Sequence, residues 1–371
     1  KDLYSLSFAI FFSPIFLLLK LNNLYFIKAN TWQIGACIQQ IDSIVKKKII
    51  ENPKAKFVIL SPRMFSANRF LNYIYKSKIY VVDNLFLYFI LFGFFNSKYF
   101  TLNSEKIEIS KYGPEFNFVQ NTYFKKFKKY DFFSTKKFLK KFNFKKKSSS
   151  NIICLHIKDD FFYKYKSQSS RSVNKKKYLL TVKYLLKKNF KIIHFTNNDK
   201  GHFSLKNPNY IKLNINFDQN KLLQIYYLIN CKFFICTQSG PASFANLFNI
   251  PTLITNVTSY NHFFAHKKTD LVLLKKIFDY KNNKFLKFKK IFGTDLSKQY
   301  SDNQMSKCKL KYIQNSELDI LNATKEMIGK TNNNVKISKL QIDVKKIIPV
   351  NVGSYYTHSV FPNSFITKNL K

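Results

Sequence analysis

The stretch from Cys231 to Asn256, CKFFICTQSGPASFANLFNIPTLITN, constrains the fold more than any other part of the chain. It reads as a short apolar strand at Phe233–Cys236 and a tight turn, Thr237-Gln238-Ser239-Gly240-Pro241. A helix then reaches about Asn249, and after Pro251 a second apolar strand follows at Thr252–Ile254. Two buried strands joined through a helix call for a parallel sheet. Pro241 suits the first position of the helix, where its missing N–H costs nothing. Hydroxyls, an amide and a glycine at a helix mouth form a place to hold an anion, because the free N–H groups and the positive end of the dipole point there. In an alternating strand–helix protein that mouth lies at the carboxyl edge of the sheet, where ligands bind.

The same alternation fills two blocks. In the first, Leu24–Lys28, Lys56–Leu60 and Ile79–Val82 read as strands. Between them lie a helix over Ile34–Ile50, with Ile34, Ile38, Ile41 and Val45 at helical spacing, and a second over Asn68–Tyr75 with Asn68 as its cap. The second block has strands at Ile152–Ile157, Lys191–Phe195 and Tyr210–Leu213, helices at Lys175–Lys188 and Gln219–Leu228, and then the stretch described above. Ser316–Ile328 reads as a late amphipathic helix with Leu318, Leu321 and Met327 on its apolar side. Lys125–Ser150 holds lysine pairs and triplets interleaved with Phe and reads as a solvated lysine-rich helix and linker. The expected organisation is an N-terminal Rossmann-like domain over 1–124, a linker over 125–150, a C-terminal Rossmann-like domain over 151–330, and a tail over 331–371 that packs back on the N-terminal domain.

The formal net charge is +43, which suggests nucleic acid or an anionic membrane as partners. The chain is also rich in Lys, Asn, Ile, Phe and Tyr and poor in Gly, Pro, Ala and Arg, as an AT-rich coding sequence produces, and that bias accounts for most of the charge. The five cysteines are scattered without metal-ligand spacing and read as core thiols of a reducing compartment. Phe8–Leu19 is apolar but short for a membrane span and is interrupted by Pro14, so it reads as a core or interfacial helix. Phe86–Phe95 reads as a buried helix.

Four polar constellations follow strands of the second block. Leu155-His156-Ile157-Lys158-Asp159-Asp160 places His156 and Lys158 on one side of a strand, where they could hold a phosphate and orient a hydroxyl; the plain alternative is an edge histidine beside a solvated Lys–Asp pair. Ser169-Ser170-Arg171-Ser172-Val173-Asn174 keeps one of the chain's few arginines in a hydroxyl-rich loop, which suits bidentate phosphate recognition, while Asn174 doubles as a helix N-cap. Thr196-Asn197-Asn198-Asp199 is suited to a base or ribose. The turn Thr237–Pro241 is the fourth. Right-handed crossovers gather all four along one sheet edge. G-x-G-x-x-G, P-loop and G-x-S-x-G patterns are absent, as is a D-x-D pair placed for a divalent ion.

Taken in order, Cys154–Asp159, Ser169–Asn174, Tyr178-Leu179, Cys231–Gly240, Phe248–Pro251, Leu273–Lys276 and Asn315–Met327 resemble the motifs of a family of bacterial glycosyltransferases with the two-domain GT-B fold, associated with surface polysaccharide synthesis. The His156-x-Lys158 element with its partner turn is also reminiscent of O-fucosyltransferase-like enzymes. The resemblance implies an α/β fold of two Rossmann-like domains facing a cleft. It implies a metal-independent hexosyl- or deoxyhexosyl-transferase that moves a sugar from a nucleotide-sugar donor to a glycan or lipid-linked acceptor. It further implies no cofactor beyond that donor substrate, no specific nucleic-acid partner, and a cytoplasmic enzyme with peripheral contact at the inner face of the membrane. Under it, Thr237, Ser239, Gly240, Lys158, Arg171 and Asn174 bind the donor, and Thr196 and Asn197 touch its nucleoside. His156 is the first candidate for the base, with Glu115 and Asp83 as distant ones. Two departures stand out. Lys158 occupies a place the family fills with arginine, and Gln33-Ile34-Gly35-Ala36 replaces an R-I-G-H-like turn. Asn68-Arg69-Phe70-Leu71 keeps the family pattern. The alternatives are a catalytically impaired glycan-binding relative and a basic protein that binds nucleic acid or a membrane surface.

Overall fold

In the computed structural model the chain divides into two units, Lys1–Lys145 and Lys146–Lys371. Residues 151–158, 170–298 apart from 262 and 264, 302–333 and 336–369 of the second are described. In the first, 13–28, 51–62, 66–73, 79–88, 101–103 and 135–145 are described, with separate positions at 7, 10, 11 and 64 and between 34 and 48. Gln33, Ala36, Glu115, Asp159, Asp160 and Ser169 lie outside the described residues.

The first unit is built on four parallel strands, β1 (Leu24–Lys28), β2 (Lys56–Leu60), β3 (Ile79–Val82) and β4 (Thr101–Asn103), in the order β3-β2-β1-β4. Alternation sends Phe26, Val58 and Leu60 to one face, where they form a small cluster closed by Leu19, Leu24, Val82 and Tyr88. Leu19 comes from helix α1 (Ser13–Leu21), which enters β1. Helical residues between β1 and β2 bury Ile38, Ile41 and Val45, as their spacing predicts, and Ile44 with them, while Ile34, expected on the same face, is half-buried. Asn68 accepts a hydrogen bond from the Phe70 N–H at 3.1 Å, opening a 3-10 turn over Arg69–Tyr73 in place of the longer helix expected.

Part of the lysine-rich stretch belongs to this core rather than to a linker. Helix α2 (Thr135–Lys141) buries Phe138 and Leu139, and Phe142 packs edge-on against Phe70 at 5.6 Å and Tyr73 at 5.4 Å. Its lysines occupy the opposite, wet side of an amphipathic helix. The described start of the Phe86–Phe95 stretch departs from expectation in the other direction, since Phe86 and Leu87 are exposed and Tyr88 is only partly buried.

The second unit carries six parallel strands, β5 (Ile152–His156), β6 (Lys191–Thr196), β7 (Tyr210–Asn214), β8 (Phe233–Thr237), β9 (Thr252–Val257) and β10 (Leu271–Leu274), ordered β10-β9-β8-β5-β6-β7. Beginning at the central β5, the chain winds outward to β7, returns to the other side of β5 at β8, and winds outward again to β10. This is the doubly wound order, and the reversal between β5 and β8 opens a crevice at their carboxyl ends. Strands β5, β8, β9 and β10 are buried along their whole length, which is why each is a short apolar run and not an alternating one. Helices α3 (Leu179–Lys187), α4 (Asp218–Asn230) and α5 (Ala242–Leu247) make crossovers. The single helix expected over Lys175–Lys188 is split, because a 3-10 turn at Lys175–Tyr178 precedes α3.

An antiparallel sheet of β11 (Lys276–Asp279), β12 (Lys284–Phe285) and β13 (Leu310–Ile313) follows. Helix α6 (Glu317–Asn333) buries Ile320, Leu321, Ala323, Thr324 and Met327. Leu318, expected on that stripe, is exposed just beyond its edge. The tail packs within the second unit through α7 (Lys339–Lys345) and α8 (Asn363–Asn369). The Gln341 Nε2 donates to Glu326 Oε1 at 2.8 Å and to the Phe361 carbonyl at 2.7 Å, while the Asn363 N–H donates to Glu326 Oε2 at 2.7 Å. Phe361 and Phe365 lie against Phe288. Cys154, Cys231 and Cys236 are buried free thiols, as expected, whereas Cys308 is exposed.

Candidate functional site

Three elements meet at the strand-order reversal. The chain leaving β5 is tied to the end of β8, because the Lys158 N–H donates to Thr237 Oγ1 at 3.0 Å. The loop carrying Arg171 is tied to the same place, since the Val173 N–H donates to the Lys158 carbonyl at 3.2 Å. Arg171 itself reaches across to the β8 turn, donating from Nη2 to the Gln238 carbonyl at 2.9 Å. The structure therefore brings His156, Lys158, Arg171, Thr237, Ser239 and Gly240 to one crevice.

Two flanking devices hold this turn and loop rigid. Gln238 Oε1 accepts from the Thr258 N–H at 3.0 Å, from Thr258 Oγ1 at 3.1 Å and from the Ser259 N–H at 3.4 Å, locking the β8 turn to the segment after β9. The buried Lys275 ammonium donates to the Ser170 carbonyl at 2.6 Å and to the Ser172 carbonyl at 2.9 Å, so it grips the backbone on either side of Arg171. The Ser170 N–H donates to Asp302 Oδ2 at 2.9 Å. A third arrangement lies behind the crevice. Asn256 and Asn315 exchange amide hydrogen bonds, each side-chain oxygen accepting from the other's N–H at 2.6 and 2.8 Å. Asn315 Nδ2 also donates to the Leu274 carbonyl at 2.8 Å.

Among the described residues two cations, Lys158 and Arg171, stand at the mouth, with the Asp302 carboxylate bonded to the Ser170 N–H beside them. Burial and the neighbouring Arg171 charge push the Lys158 ammonium down to about 7. Arg171 Nε is buried and finds no acceptor among the described residues. A buried lysine beside a guanidinium with an unused buried donor is an arrangement that favours an anion. Among the described residues no group of three His, Cys, Asp or Glu side chains is placed to hold a metal ion.

The other predicted residues have different surroundings. His156 is buried, and its Nδ1 lies 3.0 Å from the Phe195 carbonyl. A carbonyl only accepts, so Nδ1 carries the proton. Burial, with the Lys158 charge adding to it, pushes the ring down to about 4. An imidazole that resists protonation so far is a weak general base at neutral pH, and on the buried central strand β5, beside a buried Lys158, it is no edge histidine with a solvated partner either. Asn174 accepts from the Lys176 N–H at 3.0 Å and serves as the cap of its 3-10 turn. Thr196 Oγ1 donates to the Asn198 carbonyl at 2.7 Å, and the Asn197 carbonyl accepts from Asn216 Nδ2, so the loop after β6 is bonded largely to itself, one strand from the crevice.

The turn Thr237–Pro241 departs from the open helix mouth expected. Helix α5 has only six residues, and its entry closes on the turn. The Ala242 N–H donates to the Ser239 carbonyl at 3.1 Å and the Ser243 N–H to the Gly240 carbonyl at 3.0 Å. Tight turns of this kind satisfy amides that a longer helix would leave to a ligand. The Ser239 hydroxyl donates to the Thr237 carbonyl at 3.1 Å. The positive character of the crevice thus resides in Lys158 and Arg171. Lys275, Gln238, Asn256 and Asn315 were not singled out as site residues in the sequence. The signals available were that Lys275, Gln238 and Asn315 fall inside family-like segments and that Gln238 is the amide of the Thr237–Pro241 turn.

No family model matches the sequence, and no curated protein matches it. Three solved structures similar to the chain are glycosyltransferases. A glycosyl transferase of family 9 from Veillonella parvula matches with a TM-score of 0.47 at 10% identity, over 83% of this chain and 97% of that one. ADP-heptose LPS heptosyltransferase II of E. coli matches with a TM-score of 0.37 at 10% identity, over 62% of this chain and 84% of its own. The iron-containing dodecameric glycosyltransferase TibC from enterotoxigenic E. coli matches with a TM-score of 0.38 at 8% identity, over 65% and 59% of the two chains.

Proposed function

We propose that the protein is a glycosyltransferase whose second unit holds the diphosphate of a nucleotide-sugar donor on Lys158 and Arg171, with transfer to a glycan or lipid-linked acceptor. The two units are read as the paired domains of a GT-B enzyme. The observation that carries this proposal is the pair of cations at the strand-order reversal, strapped to β8 through Thr237 and Gln238. Charge builds on a nucleoside diphosphate as it leaves the sugar, and fixed cations in a site largely withdrawn from water stabilise that charge with little reorganisation. Arginine offers the fork that a phosphate oxygen pair accepts. The ordered motifs around the crevice support the same class of substrate.

A thermal-shift panel of nucleoside diphosphates and nucleotide sugars tests this. A ligand that binds only the folded state raises the melting temperature. At least one nucleotide is expected to do so, and Arg171→Ala is expected to reduce the shift strongly while melting close to the unliganded wild type. A panel that leaves the melting temperature unmoved throughout contradicts the proposal.

A further inference from the structure

The antiparallel sheet of the second unit has one covered face and one open face. Register pairs Phe278 with Phe285 on one side and with Lys311 on the other, and pairs Lys276 with Ile313. Alternation therefore puts Lys276, Phe278, Tyr280, Phe285, Lys311 and Ile313 on one face, and Ile277, Leu286, Leu310 and Tyr312 on the other. The second set is buried. In the first, Tyr280 is 56% and Phe285 46% exposed, Lys311 is exposed, and the rest are half-buried. The rings are braced against one another. Phe278 stands edge-on to Tyr280, with centroids 5.2 Å apart at 79°, and to Phe285, at 5.1 Å and 75°. Lys276 Nζ lies 4.4 Å from the centre of the Phe285 ring. The hairpin beneath them is fixed as well. The Asp279 carboxylate, on the covered side, accepts from the Lys281 and Asn282 N–H groups at 3.0 and 3.2 Å and from Asn282 Nδ2 at 2.7 Å. Asn283 adopts the left-handed φ of 47° that closes the turn.

We propose that this open face binds a short acidic glycan, the acceptor chain of the transfer reaction. Its sugar rings lie on Tyr280 and Phe285, and its carboxylate or phosphate groups meet Lys276 and Lys311. The C–H groups on one side of a pyranose carry slight positive charge and pack on the negative face of an aromatic ring, while the hydroxyls stay in water. Size and local charge select this occupant. From strand rise and spacing the face measures about 13 Å by 10 Å, far below the ~800 Å² that each partner of a stable protein–protein interface buries. Its outward positions include Lys276 and Lys311 and no acid. The Asp319 carboxylate, which also acts on Lys276, is held by the Ser316 N–H at 3.0 Å and by Lys368 Nζ at 3.3 Å. Single-stranded nucleic acid asks for a basic groove that follows several phosphates, which two cations do not supply. The face begins one residue beyond Lys275, whose inward side chain grips the Arg171 loop, so its occupant sits on the strand that leads away from the donor crevice. Naming the glycan as the acceptor rests on the glycosyltransferase reading; its binding to this face does not.

The test is equilibrium titration of the full chain, without nucleotide, with trigalacturonate, phosphopentamannose, uncharged cellotriose and an oligothymidylate. At least one of the two acidic glycans is expected to bind about threefold or more tighter than cellotriose, and which one it is names the acidic group as carboxylate or phosphate. Tyr280→Ala with Phe285→Ala is expected to weaken that glycan by about tenfold or more, with the melting temperature and its nucleotide-induced shift unchanged. A second variant that spares the rings, Lys276→Gln with Lys311→Gln, is expected to bring the acidic glycan down to the level of cellotriose. Absence of binding by both acidic glycans overturns the proposal, as does binding retained by both variants. Oligothymidylate bound in preference to the glycans, and lost in the ring variant, overturns it by assigning the face to nucleic acid. A wild type that elutes as a dimer and a ring variant that elutes as a monomer overturns it by assigning the face to a second copy. A protein that binds the glycan but no nucleotide contradicts the donor site and leaves this face standing; one that binds nucleotide but no glycan does the reverse.

Discussion

Arg171 owes its position to Lys275. The buried ammonium holds the carbonyls of Ser170 and Ser172, which fixes the backbone from which the guanidinium projects. Replacing Lys275 with Met removes two charge-assisted hydrogen bonds from a buried site, at a cost of about 2–4 kcal/mol in stability. Because the buried Lys275 ammonium is bonded to the backbone on both sides of Arg171, the same variant is expected to weaken nucleotide affinity by releasing the Arg171 loop. A Lys275→Met protein that melts and binds like the wild type would show that the loop is held by other means. Lys158 supplies a pH signature. Its ammonium, ordinarily near 10.5, is held at about 7 by burial and by Arg171. Between those values the unfolded chain keeps a proton that the folded one has lost, so this position makes stability rise with pH across that window. A bound diphosphate favours the ammonium and reverses the preference, so binding takes up a proton above neutrality. Affinity for a nucleotide sugar is therefore expected to fall as pH rises from about 7 to about 9, by at most about tenfold per unit for one proton. Lys158→Met should flatten that profile; a flat profile in the wild type would remove Lys158 from the binding site.

At the scale of elements, what can be read from sequence depends on how the chain is buried. The strands β1, β2 and β3 fall where the apolar runs place them, and β5 to β9 match to within a few residues. Strands β2, β5, β6, β8 and β9 are buried almost throughout, and such a strand has little polar surface to blur it, while β3 and β7 are partly exposed and are marked by their β-branched and aromatic residues. Helices were less legible. The 3-10 turns at Arg69–Tyr73 and Lys175–Tyr178 look like full helices in sequence, since the same residues suit both, and only the tertiary path shortens them. The site divides in the same manner. Arg171 stood out because arginine is scarce in this chain, whereas Lys275 was hidden in a lysine-rich background and the Asn256–Asn315 pair in an asparagine-rich one. The tail was the least legible element, its polar sequence masking the two aromatic anchors Phe361 and Phe365. Phe365 is buried against Phe288 at 5.8 Å. Phe365→Ala is expected to cost about 3–5 kcal/mol, read as a marked drop in melting temperature. A small change would mean that α8 adds little to the second unit.

Over the whole molecule, charge and topology separate into different jobs. The excess of lysine is spread over exposed helix sides, such as that of α2, and follows the composition of the chain. The proposed donor site lies where the winding of the second sheet reverses, because the topology brings the ends of β5 and β8 and the Arg171 loop together whatever the bulk composition. The central claim is that Lys158 and Arg171 there hold a diphosphate. Calorimetric titration of the best nucleotide from the thermal-shift panel into the wild type, Arg171→Lys and Arg171→Ala tests it most directly. Loss of hydrogen bonds to a charged group corresponds to about 1.5–3 kcal/mol, so Arg171→Ala is expected to weaken affinity by roughly tenfold to a hundredfold. Arg171→Lys, which keeps the charge and loses the fork, should fall between the two. Equal affinities across the three folded proteins would contradict the account.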